Sequence, residues 1–331
     1  MRAAVVGGGH GVLTLADVPR PDIGRGDVLL HVRAAGVCAT DLMGIAGTPA
    51  AAPLRIPGHE ITGLVAEVGA DVTGVAVGDR VGTYMMFSCG SCEPCRLGEE
   101  ECCEGGELAG ITTQGGYAEF VRLPARSAIP LPDDLPFDEA APFFCAGLTS
   151  YAGLLNGGLA PGKRVAIVGI GGLGHLAIPI AKALGAEVVA ITSSPGKHEL
   201  ARALGADHVL TGDAGAGAAL AALGGAHVVL NTASAVEPLA HLVAGLRPLA
   251  RIVLAGVAPG PVPIPAGALA RKQIGILGSF IGSRAQMVEL LALAQSTGMR
   301  PTIERYALAD VAAVHDRLRA NEIRFRAVMT P

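Results

Sequence analysis

Two groups of side chains in this sequence have the types that bind zinc. One is a tight cluster with the spacing C-x2-C-x2-C-x7-C, formed by Cys89, Cys92, Cys95 and Cys103. Four thiolates complete a tetrahedron around zinc, so this cluster predicts a structural metal site. The other group is dispersed along the chain and consists of Cys38, His59 and Cys145. Three protein ligands leave the fourth zinc position open, which is typical of a catalytic metal. We therefore expect a zinc enzyme that holds one ion in each group.

A glycine-rich turn predicts a dinucleotide site. The turn fits the pattern G-x-G-x-x-G and contains Gly169, Gly171, Gly172, Leu173 and Gly174. The apolar run Val165–Val168 precedes it and an apolar helix is expected to follow, which is the context that the pattern requires. Glycines here let the backbone approach a pyrophosphate, whose charge then lies at the helix N-terminus. A turn with a purely structural role is the alternative, and the flanking strand and helix disfavour it.

The residues after the next strand favour NADP(H) over NAD(H). An acidic residue at this point would bind the ribose hydroxyls of NAD. This chain has no acid before Glu199, and it offers hydroxyls and one ammonium group instead: Thr192, Ser193, Ser194 and Lys197. These groups suit the 2′-phosphate of NADP. The serines alternatively cap the helix that begins near Pro195, a role that is compatible with binding phosphate.

Composition excludes several classes of protein. The chain has 331 residues, enough for two domains, and its 50% hydrophobic residues against 16% charged indicate a globular protein. A formal net charge of −4 gives no reason to expect nucleic acid as a partner. The start of the sequence lacks the pattern of a signal peptide. Without an export signal, the seven cysteines favour a reducing compartment, and we expect a cytoplasmic protein.

One uncharged run is long enough to span a bilayer. Residues Ala214–Val236 carry no charged side chain, but they are rich in glycine and alanine and contain His227 and Asn231. Such a composition gives little driving force for insertion. We expect a helix of a globular protein followed by a buried strand at His227–Asn231, and no membrane contact.

The pattern of apolar residues changes once along the chain. Short strands separated by Gly and Pro turns fill the first part, among them Gly116–Val121, and indicate a β-rich domain. From about Asp138 helical and strand patterns alternate, beginning with one helix expected over DEAAPFFCAGLTSYAGLL, which predicts a doubly wound parallel sheet. The last segment has two amphipathic helices and terminal strands and is expected to return to the first domain. The predicted class is α/β, with domains at 1–145 and 146–284 and a return at 285–331.

Several short motifs resemble those of the zinc-dependent medium-chain alcohol dehydrogenases, in the order of that family and along essentially the whole chain. They are GVCATD (36–41), PGHE (57–60), VGDRVG (77–82), CGSCEPC with Cys103, GGYAEFV (115–121), CAGLTSY (145–151) and GIGGLGH (169–175). Spacing alone leaves Cys102 as an alternative fourth ligand, and the resemblance selects Cys103. The hydroxyl pattern at 192–194 is similar to the NADP-preferring branch with cinnamyl alcohol dehydrogenases and bacterial aldehyde reductases. The resemblance implies a GroES-like catalytic domain and a Rossmann domain.

The resemblance also implies roles for individual residues. Cys38, His59 and Cys145 would hold the catalytic zinc, with Glu60 as a carboxylate that exchanges onto the metal. Asp41 would orient His59, and Thr40 would hydrogen-bond the substrate oxygen. Two positions would contact the cofactor: Thr149 near the nicotinamide and Arg326 near the pyrophosphate, with Arg324 as a competitor for the latter. A homodimer or homotetramer that pairs near Gly275–Phe280 and acts on a small alcohol or aldehyde is implied as well.

One position departs from the family pattern. Many relatives have a histidine that passes a proton to solvent where this chain has Met43. A thioether cannot relay a proton, so the proton path is expected to end at Thr40 and the nicotinamide ribose, with water taking over. The alternatives are a reductase of C=N or activated C=C bonds on the same scaffold and, more remotely, a non-catalytic NADP and zinc redox sensor. With no tryptophan in the chain and Met85, Met86 and Phe87 expected near the zinc, we predict a roomy, apolar pocket.

Overall fold

Apolar runs between Gly and Pro turns form most of the strands. This computed structural model describes residues 1–7, 12–47, 54–256 and 260–331. The strands are β1 (Arg2–Val6), β2 (Leu13–Asp17), β3 (Asp27–Val37), β4 (Glu60–Val68), β5 (Arg80–Thr83), β6 (Met86–Phe87), β7 (Glu107–Leu108), β8 (Phe120–Pro124), β9 (Ala128–Pro130), β10 (Arg164–Val168), β11 (Glu187–Thr192), β12 (His208–Thr211), β13 (Ala226–Asn231), β14 (Leu246–Leu254), β15 (Gly275–Gly278), β16 (Ile303–Ala307) and β17 (Arg326–Thr330).

The helices are short, and three of those described reach ten residues or more. They are α1 (Ala39–Ala46), α2 (Glu93–Leu97), α3 (Phe137–Ala140), α4 (Ala146–Asn156), α5 (Gly174–Ala183), α6 (His198–Ala203), α7 (Ala216–Ala222), α8 (Pro238–Leu242), α9 (Ala266–Lys272), α10 (Arg284–Thr297) and α11 (Val311–Arg319). Helix α10 has a capping box, in which Ser283 and Gln286 satisfy each other's backbone N–H groups and fix where the helix begins. Among the described residues, no helix is long and apolar enough to cross a membrane.

The chain divides into two units. Unit 1 comprises Met1–Cys145 and Ser283–Pro331. Its main sheet has the strand order β16-β17-β3-β4-β5-β9, and β8 also pairs with β3. Strand β17 joins this sheet antiparallel to β3, with Val328 opposite Gly36, so the last residues of the chain lie beside the first long strand. The C-terminal segment therefore completes the sheet of unit 1.

Unit 2, Ala146–Gly282, contains a six-stranded parallel sheet. Its order is β12-β11-β10-β13-β14-β15, and every pair is parallel. Successive strands are added on one side of β10 up to β12 and on its other side from β13 onward. The switch point between β10 and β13 is where open α/β sheets bind ligands, at the carboxyl ends of the strands. A core of valine, isoleucine, leucine and alanine side chains, centred on Val189, Val229 and Ile252, packs one face against the helices. The predicted α/β class is confirmed, including the Rossmann-type strand order.

Two local predictions differ from the structure. The helix expected over 138–155 is interrupted: α3 is followed by a 3-10 turn at Ala141–Phe144, and α4 starts only after Cys145, whose backbone is non-helical at φ −135° and ψ −72°. Pro142 lacks the N–H that a helix interior requires, which accounts for the break. The strand expected at Gly116–Val121 begins later, at Phe120. The uncharged run at 214–236 forms α7 and then β13, as expected.

Candidate metal and dinucleotide sites

Four potential metal ligands converge in unit 1. Cys38 follows the end of β3 and precedes α1, His59 and Glu60 lie at the start of β4, and Cys145 occupies the break before α4. Strands β3 and β4 are antiparallel with Gly36 opposite Glu60, so their adjoining ends bring Cys38 to His59. One ligand atom from each of the four residues lies within 4.8 Å of every other. All four residues are buried.

The donor set and the unmet hydrogen-bonding capacity of this group fit a zinc ion. Two thiols, one imidazole and one carboxylate are ligand types of zinc, and three of them form a common catalytic set. Among the described residues, His59 Nε2 and Glu60 Oε2 are buried with no hydrogen-bond partner. Buried polar atoms without partners are costly, and a bound cation would satisfy both. The hydrogen bond from the Cys145 thiol lowers the pKa of Cys38 well below its usual value, and His59 adds to the effect, which favours the thiolate that zinc requires.

Asp41 makes hydrogen bonds to both His59 and Cys38. Its Oδ1 lies 2.8 Å from His59 Nδ1, and its Oδ2 accepts the backbone N–H of Cys38 at 2.9 Å. Asp41 and His59 are both almost fully buried. A carboxylate that holds Nδ1 fixes the tautomer in which Nε2 is free to bind metal. Asp41 is thus hydrogen-bonded to His59, and its role beside a metal stays a prediction.

Glu60 and Arg326 form a buried ion pair. The Arg326 guanidinium donates to Glu60 Oε1, and both side chains are nearly inaccessible to solvent. Burial raises the pKa of Glu60 to about 7, although Arg326 opposes the shift. Gly36 makes room for the carboxylate, because a Cβ there would lie 1.9 Å from Glu60 Oε2. Arg326 is thus found on the carboxylate, whereas Arg324 is exposed; a contact of Arg326 with the cofactor stays a prediction.

Thr40 and Met43 lie on α1. The Thr40 hydroxyl is 3.6 Å from Cys38 Sγ, so it is beside a proposed metal ligand. Met43 is exposed on the same helix. A cavity of about 700 Å³ in unit 1 includes Gly44 and Gly47 at the end of this helix and the side chains of Leu54, Phe87 and Ile111 among its lining. Of the three residues expected near the zinc, Phe87 lines this cavity, but Thr40 and the four potential ligands do not, so a pocket at the zinc stays a prediction.

The tight cysteine cluster forms a second group in unit 1. Ligand atoms of Cys89, Cys92, Cys95 and Cys103 lie within 4.8 Å of one another. Sulfur distances of 3.4 Å between Cys92 and Cys95 and 3.8 Å between Cys92 and Cys103 are close to the roughly 3.8 Å expected between thiolates of a tetrahedral zinc site. Backbone N–H groups of Ser91 and Cys92 approach Cys89 Sγ at 3.4 and 3.3 Å and favour its thiolate. Cys102 is exposed and lies outside the group.

In unit 2 the glycine turn joins β10 to α5. Gly169 has φ +88°, which favours glycine, and a Cβ there would lie 2.9 Å from Ala233 Cβ. A Cβ on Gly174 would lie 2.0 Å from the carbonyl oxygen of Gly169. Gly171 is different, because a Cβ there would meet no other atom of the described chain within 4 Å. Two glycines are thus required by the fold, and Gly171 leaves open space above the turn.

A cavity of about 300 Å³ lies against this turn within unit 2. Several predicted cofactor residues line it: Gly169, Gly171, Thr192, Ser193, Ser194 and Lys197. Gly172, Leu173 and Gly174 are absent from its lining and lead into α5. Thr149 is buried on α4, and the next residue, Ser150, donates to the carbonyl of Leu173 at 3.2 Å, so α4 packs on the turn. Carboxyl ends of β10, β11 and β13 thus surround one cavity.

Sequence reasoning missed three residues at these sites. The Thr232 hydroxyl donates to the carbonyl of Gly169 at 2.6 Å and holds the glycine turn to the end of β13. The Tyr117 hydroxyl donates to Asp41 Oδ2 at 2.9 Å, and His315 Nε2 lies 3.3 Å from the Tyr117 hydroxyl. Tyr117 is part of the GGYAEFV motif, which was a signal, but the isolated His315 in an amphipathic helix gave none.

The chain is similar to known dehydrogenases along nearly its whole length. Residues 24–133 match the family described as alcohol dehydrogenase GroES-like domain, and 172–296 match zinc-binding dehydrogenase. An alcohol dehydrogenase of Geobacillus stearothermophilus is 40% identical, with 99% of each chain covered. An NADP-dependent alcohol dehydrogenase C of Mycolicibacterium smegmatis is 34% identical over 96% of this chain and 94% of that protein. The structure of a cinnamyl alcohol dehydrogenase from Sorghum bicolor has a TM-score of 0.90 at 33% identity, covering 99% and 97%.

Proposed function

Because this chain belongs to the zinc-dependent medium-chain alcohol dehydrogenases, in their cinnamyl alcohol dehydrogenase-like branch, we propose that it reacts at the group Cys38, His59 and Cys145 with NADP(H) as cofactor. As a member of this family it is an enzyme that interconverts alcohols with aldehydes or ketones. One observation carries this assignment. The three ligands and Glu60 converge in a buried group. Within the described chain, His59 Nε2 in this group is buried and has no hydrogen-bond partner. A buried imidazole nitrogen between two cysteines supports a metal site rather than ordinary core packing.

Each residue of the group has a proposed task. A zinc ion held by Cys38, His59 and Cys145 would supply Lewis acidity toward an alcohol or carbonyl oxygen. The Thr40 hydroxyl holds the proton of the substrate alcohol by a hydrogen bond. Asp41 keeps His59 in the binding tautomer, and Glu60 balances the charge of the group with Arg326. Since Met43 cannot relay a proton, we propose that the path from Thr40 continues through cofactor hydroxyls and water.

The dinucleotide site is assigned to unit 2. Hydride transfer to or from the substrate carbon is the chemistry that a nicotinamide cofactor supplies. Gly171 gives a pyrophosphate room at the start of α5, and Thr149 and Arg326 are further proposed contacts. Ser193, Ser194 and Lys197 line the cavity at the end of β11 and suit a 2′-phosphate. The similarity to an NADP-dependent relative supports the same choice.

The remaining assignments follow from the resemblance and from thiol chemistry. The segment 1–145, with the return 285–331, would carry both zinc sites, and 146–284 would bind the cofactor. The tight cysteine cluster would hold a structural zinc. We propose a homodimer or homotetramer in the cytoplasm, where a reducing environment keeps thiols available for metal. Bulky or aromatic aldehydes are the proposed substrates, because the chain contains no tryptophan that would narrow a pocket and is similar to cinnamyl alcohol dehydrogenases.

Metal removal tests the reaction centre. Stripping zinc from the holoenzyme with a chelator is expected to abolish NADPH-dependent reduction of a cinnamyl or benzylic aldehyde, because the ligand group then lacks its Lewis acid. Zinc content by elemental analysis and NADPH consumption are measured on the same samples. Restored activity on adding zinc is the positive control, and full activity of a metal-free preparation would overturn the proposal.

The cofactor assignment has its own test. Lys197→Glu is expected to lower kcat/KM for NADPH by about tenfold or more, because a carboxylate repels the 2′-phosphate that the ammonium would bind. NADH, which has no such phosphate, is expected to lose much less, and Arg271→Glu, which reverses an exposed positive charge on α9, serves as the control. Equal efficiency of the wild-type enzyme with both cofactors, or an unaltered NADPH efficiency of the variant, would contradict the assignment.

A further inference from the structure

A buried chain of hydrogen bonds continues behind Asp41. The carboxylate accepts from Cys38 N–H and from the Tyr117 hydroxyl, both at Oδ2 and both at 2.9 Å. His315 Nε2 lies 3.3 Å from the same hydroxyl, and its ring meets the Tyr117 ring edge to face, with centroids 5.6 Å apart at 82°. Asp41, Tyr117 and His315 are each at most 1% exposed. His59, Asp41, Tyr117 and His315 thus form one continuous path.

The direction of each bond follows from the number of protons available. Tyr117 has one hydroxyl proton, which it donates to Asp41, so its oxygen accepts from His315. The proton of a neutral His315 ring is then on Nε2. Burial raises the pKa of Tyr117 well above its usual value and lowers the pKa of His315, so the phenol stays protonated and the imidazole neutral. Donors therefore run from His315 to Tyr117 to Asp41.

The backbone holds the Tyr117 ring against the residue that precedes His59. Gly115, Gly116 and Tyr117 donate their N–H groups to the carbonyls of Ile56, Gly58 and Pro57 at 2.7, 2.8 and 3.0 Å. Gly58 has φ +93°, and a Cβ there would lie 2.5 Å from Tyr117 Cδ1. The motifs PGHE and GGYAEFV therefore pack directly against each other. The Tyr117 ring occupies the space that a side chain at position 58 would need.

The far end of the path comes from the C-terminal part of unit 1. His315 lies on α11, whose buried face also carries Val311 and Val314. Among the described residues, His315 Nδ1 is buried without a partner. Replacing two buried hydrogen-bonded groups by apolar groups of the same shape costs little stability, and leaving one polar atom unpaired is unfavourable. Two phenylalanines would fill the space of Tyr117 and His315 equally well. Packing alone therefore does not explain why both residues are polar.

We propose that Tyr117 and His315 are positioning residues for the metal, which fix the Asp41 carboxylate and through it the His59 ring. This inference rests on the proposed zinc site at Cys38, His59 and Cys145. Without the Tyr117 donor, Cys38 N–H is the one donor that Asp41 Oδ2 keeps within the described part of the chain, and the carboxylate gains freedom to rotate. The imidazole then loses its fixed orientation, and the buried group releases its ion faster.

The test measures release of zinc from the holoenzyme to a chromogenic chelator. Each chain is expected to show two phases, and the phase that belongs to the buried group is identified by its loss in Cys145→Ser. Tyr117→Phe is expected to speed this phase by about threefold to tenfold, below the tenfold to hundredfold cost typical of direct partners of a ligand, because Tyr117 acts one residue further away. The phase of the four-cysteine site is the internal reference and is expected to stay unchanged.

Three further variants test whether the effect is specific to this path. His315→Phe is expected to speed the same phase by a smaller factor, and His315→Gln, which retains an N–H donor, is expected to restore the wild-type rate. Tyr306→Phe is the matched control, because it removes a tyrosine hydroxyl that donates to a carboxylate, Glu304, elsewhere in unit 1. That control is expected to leave both phases unaltered.

The possible outcomes separate this inference from the proposed function. A wild-type protein that releases only the four-cysteine zinc overturns the metal assignment, and the inference falls with it. Two wild-type phases with unchanged release in both Tyr117→Phe and His315→Phe overturn the inference alone. Equal acceleration of both phases, together with a lower Tm, shows general loosening and likewise rejects a positioning role.

Discussion

At the scale of single residues, the two adjacent cysteines Cys102 and Cys103 have opposite surroundings. The short 3-10 turn Glu100–Cys102 ends just before Cys103, whose sulfur accepts from Cys89 N–H at 3.1 Å and lies 3.8 Å from Cys92 Sγ. Cys102 is exposed, and desolvation together with the nearby glutamates Glu101 and Glu99 raises the pKa of its thiol. The sulfur of Cys103 lies within the four-cysteine group and that of Cys102 does not, so the geometry favours Cys103 as the ligand.

Substituting Cys102 and Cys103 separately tests which of them binds zinc. Cys103→Ser is expected to lower zinc content by about one ion per chain and to lower Tm, because three thiolates do not close the tetrahedron and the loop loses the ion that orders it. Cys102→Ser removes a thiol from the neighbouring position and is expected to retain all zinc. Elemental analysis and thermal unfolding measure both effects. Loss of zinc in Cys102→Ser with none in Cys103→Ser would assign the ligand the other way.

At the scale of elements, the unit β10, glycine turn and α5 divides its glycines between folding and binding. Gly169 needs its positive φ, and Gly174 allows α5 to approach the end of β10. Gly171 has no such neighbour in the described chain and lines the cavity at the switch point of the sheet. Substitution of Gly169 or Gly174 would thus affect stability, whereas substitution of Gly171 would affect cofactor binding.

Two alanine substitutions separate these effects. Gly174→Ala is expected to lower the free energy of unfolding by about 1–3 kcal/mol, because its Cβ would overlap the Gly169 carbonyl. Gly171→Ala is expected to keep wild-type stability and to weaken NADPH binding on the order of tenfold, because the methyl group occupies the path of the pyrophosphate. Urea unfolding and fluorescence titration with NADPH measure the two quantities. Wild-type affinity in Gly171→Ala would refute this division of roles.

At the scale of the whole molecule, the six-stranded sheet ends at β15. This edge strand pairs with β14 on one side, and the nearby Phe280 is 49% exposed. An open edge with an exposed aromatic residue is a surface that proteins commonly cover by pairing with another chain. The resemblance to oligomeric dehydrogenases implies that a second copy of this chain is the partner, and this assembly stays a prediction.

A charge introduced at Phe280 tests the assembly. Phe280→Glu is expected to raise the dissociation constant of the dimer by about tenfold or more, because a central aromatic contact at an interface is replaced by a buried carboxylate. Val288→Glu is the control, since Val288 is 53% exposed but lies on α10 in unit 1. Sedimentation velocity over a range of concentrations measures the change. A monomeric wild-type protein, or equal effects of the two substitutions, would reject this interface.

The sequence by itself determined the features whose chemistry is local. Ligand types and spacing identified the two zinc patterns, the glycine turn between an apolar strand and helix indicated the dinucleotide fold, and the changing periodicity separated the two kinds of sheet. Each of these depends on residues near one another along the chain, or on ligand types that are rarely combined by chance. For this reason, the α/β class and the family could be predicted from the sequence.

Only the tertiary structure decided what depends on distant residues. It brought Arg326 onto Glu60, 266 positions earlier, and His315 onto Tyr117, 198 positions earlier. It also broke the expected helix at Cys145, where Pro142 and the preceding 3-10 turn set the position of the ligand. Local patterns report propensity and burial, whereas these contacts are set by how β17 and α11 pack into unit 1. The candidate metal ligands could therefore be predicted from the sequence, and the hydrogen-bond network around them could not.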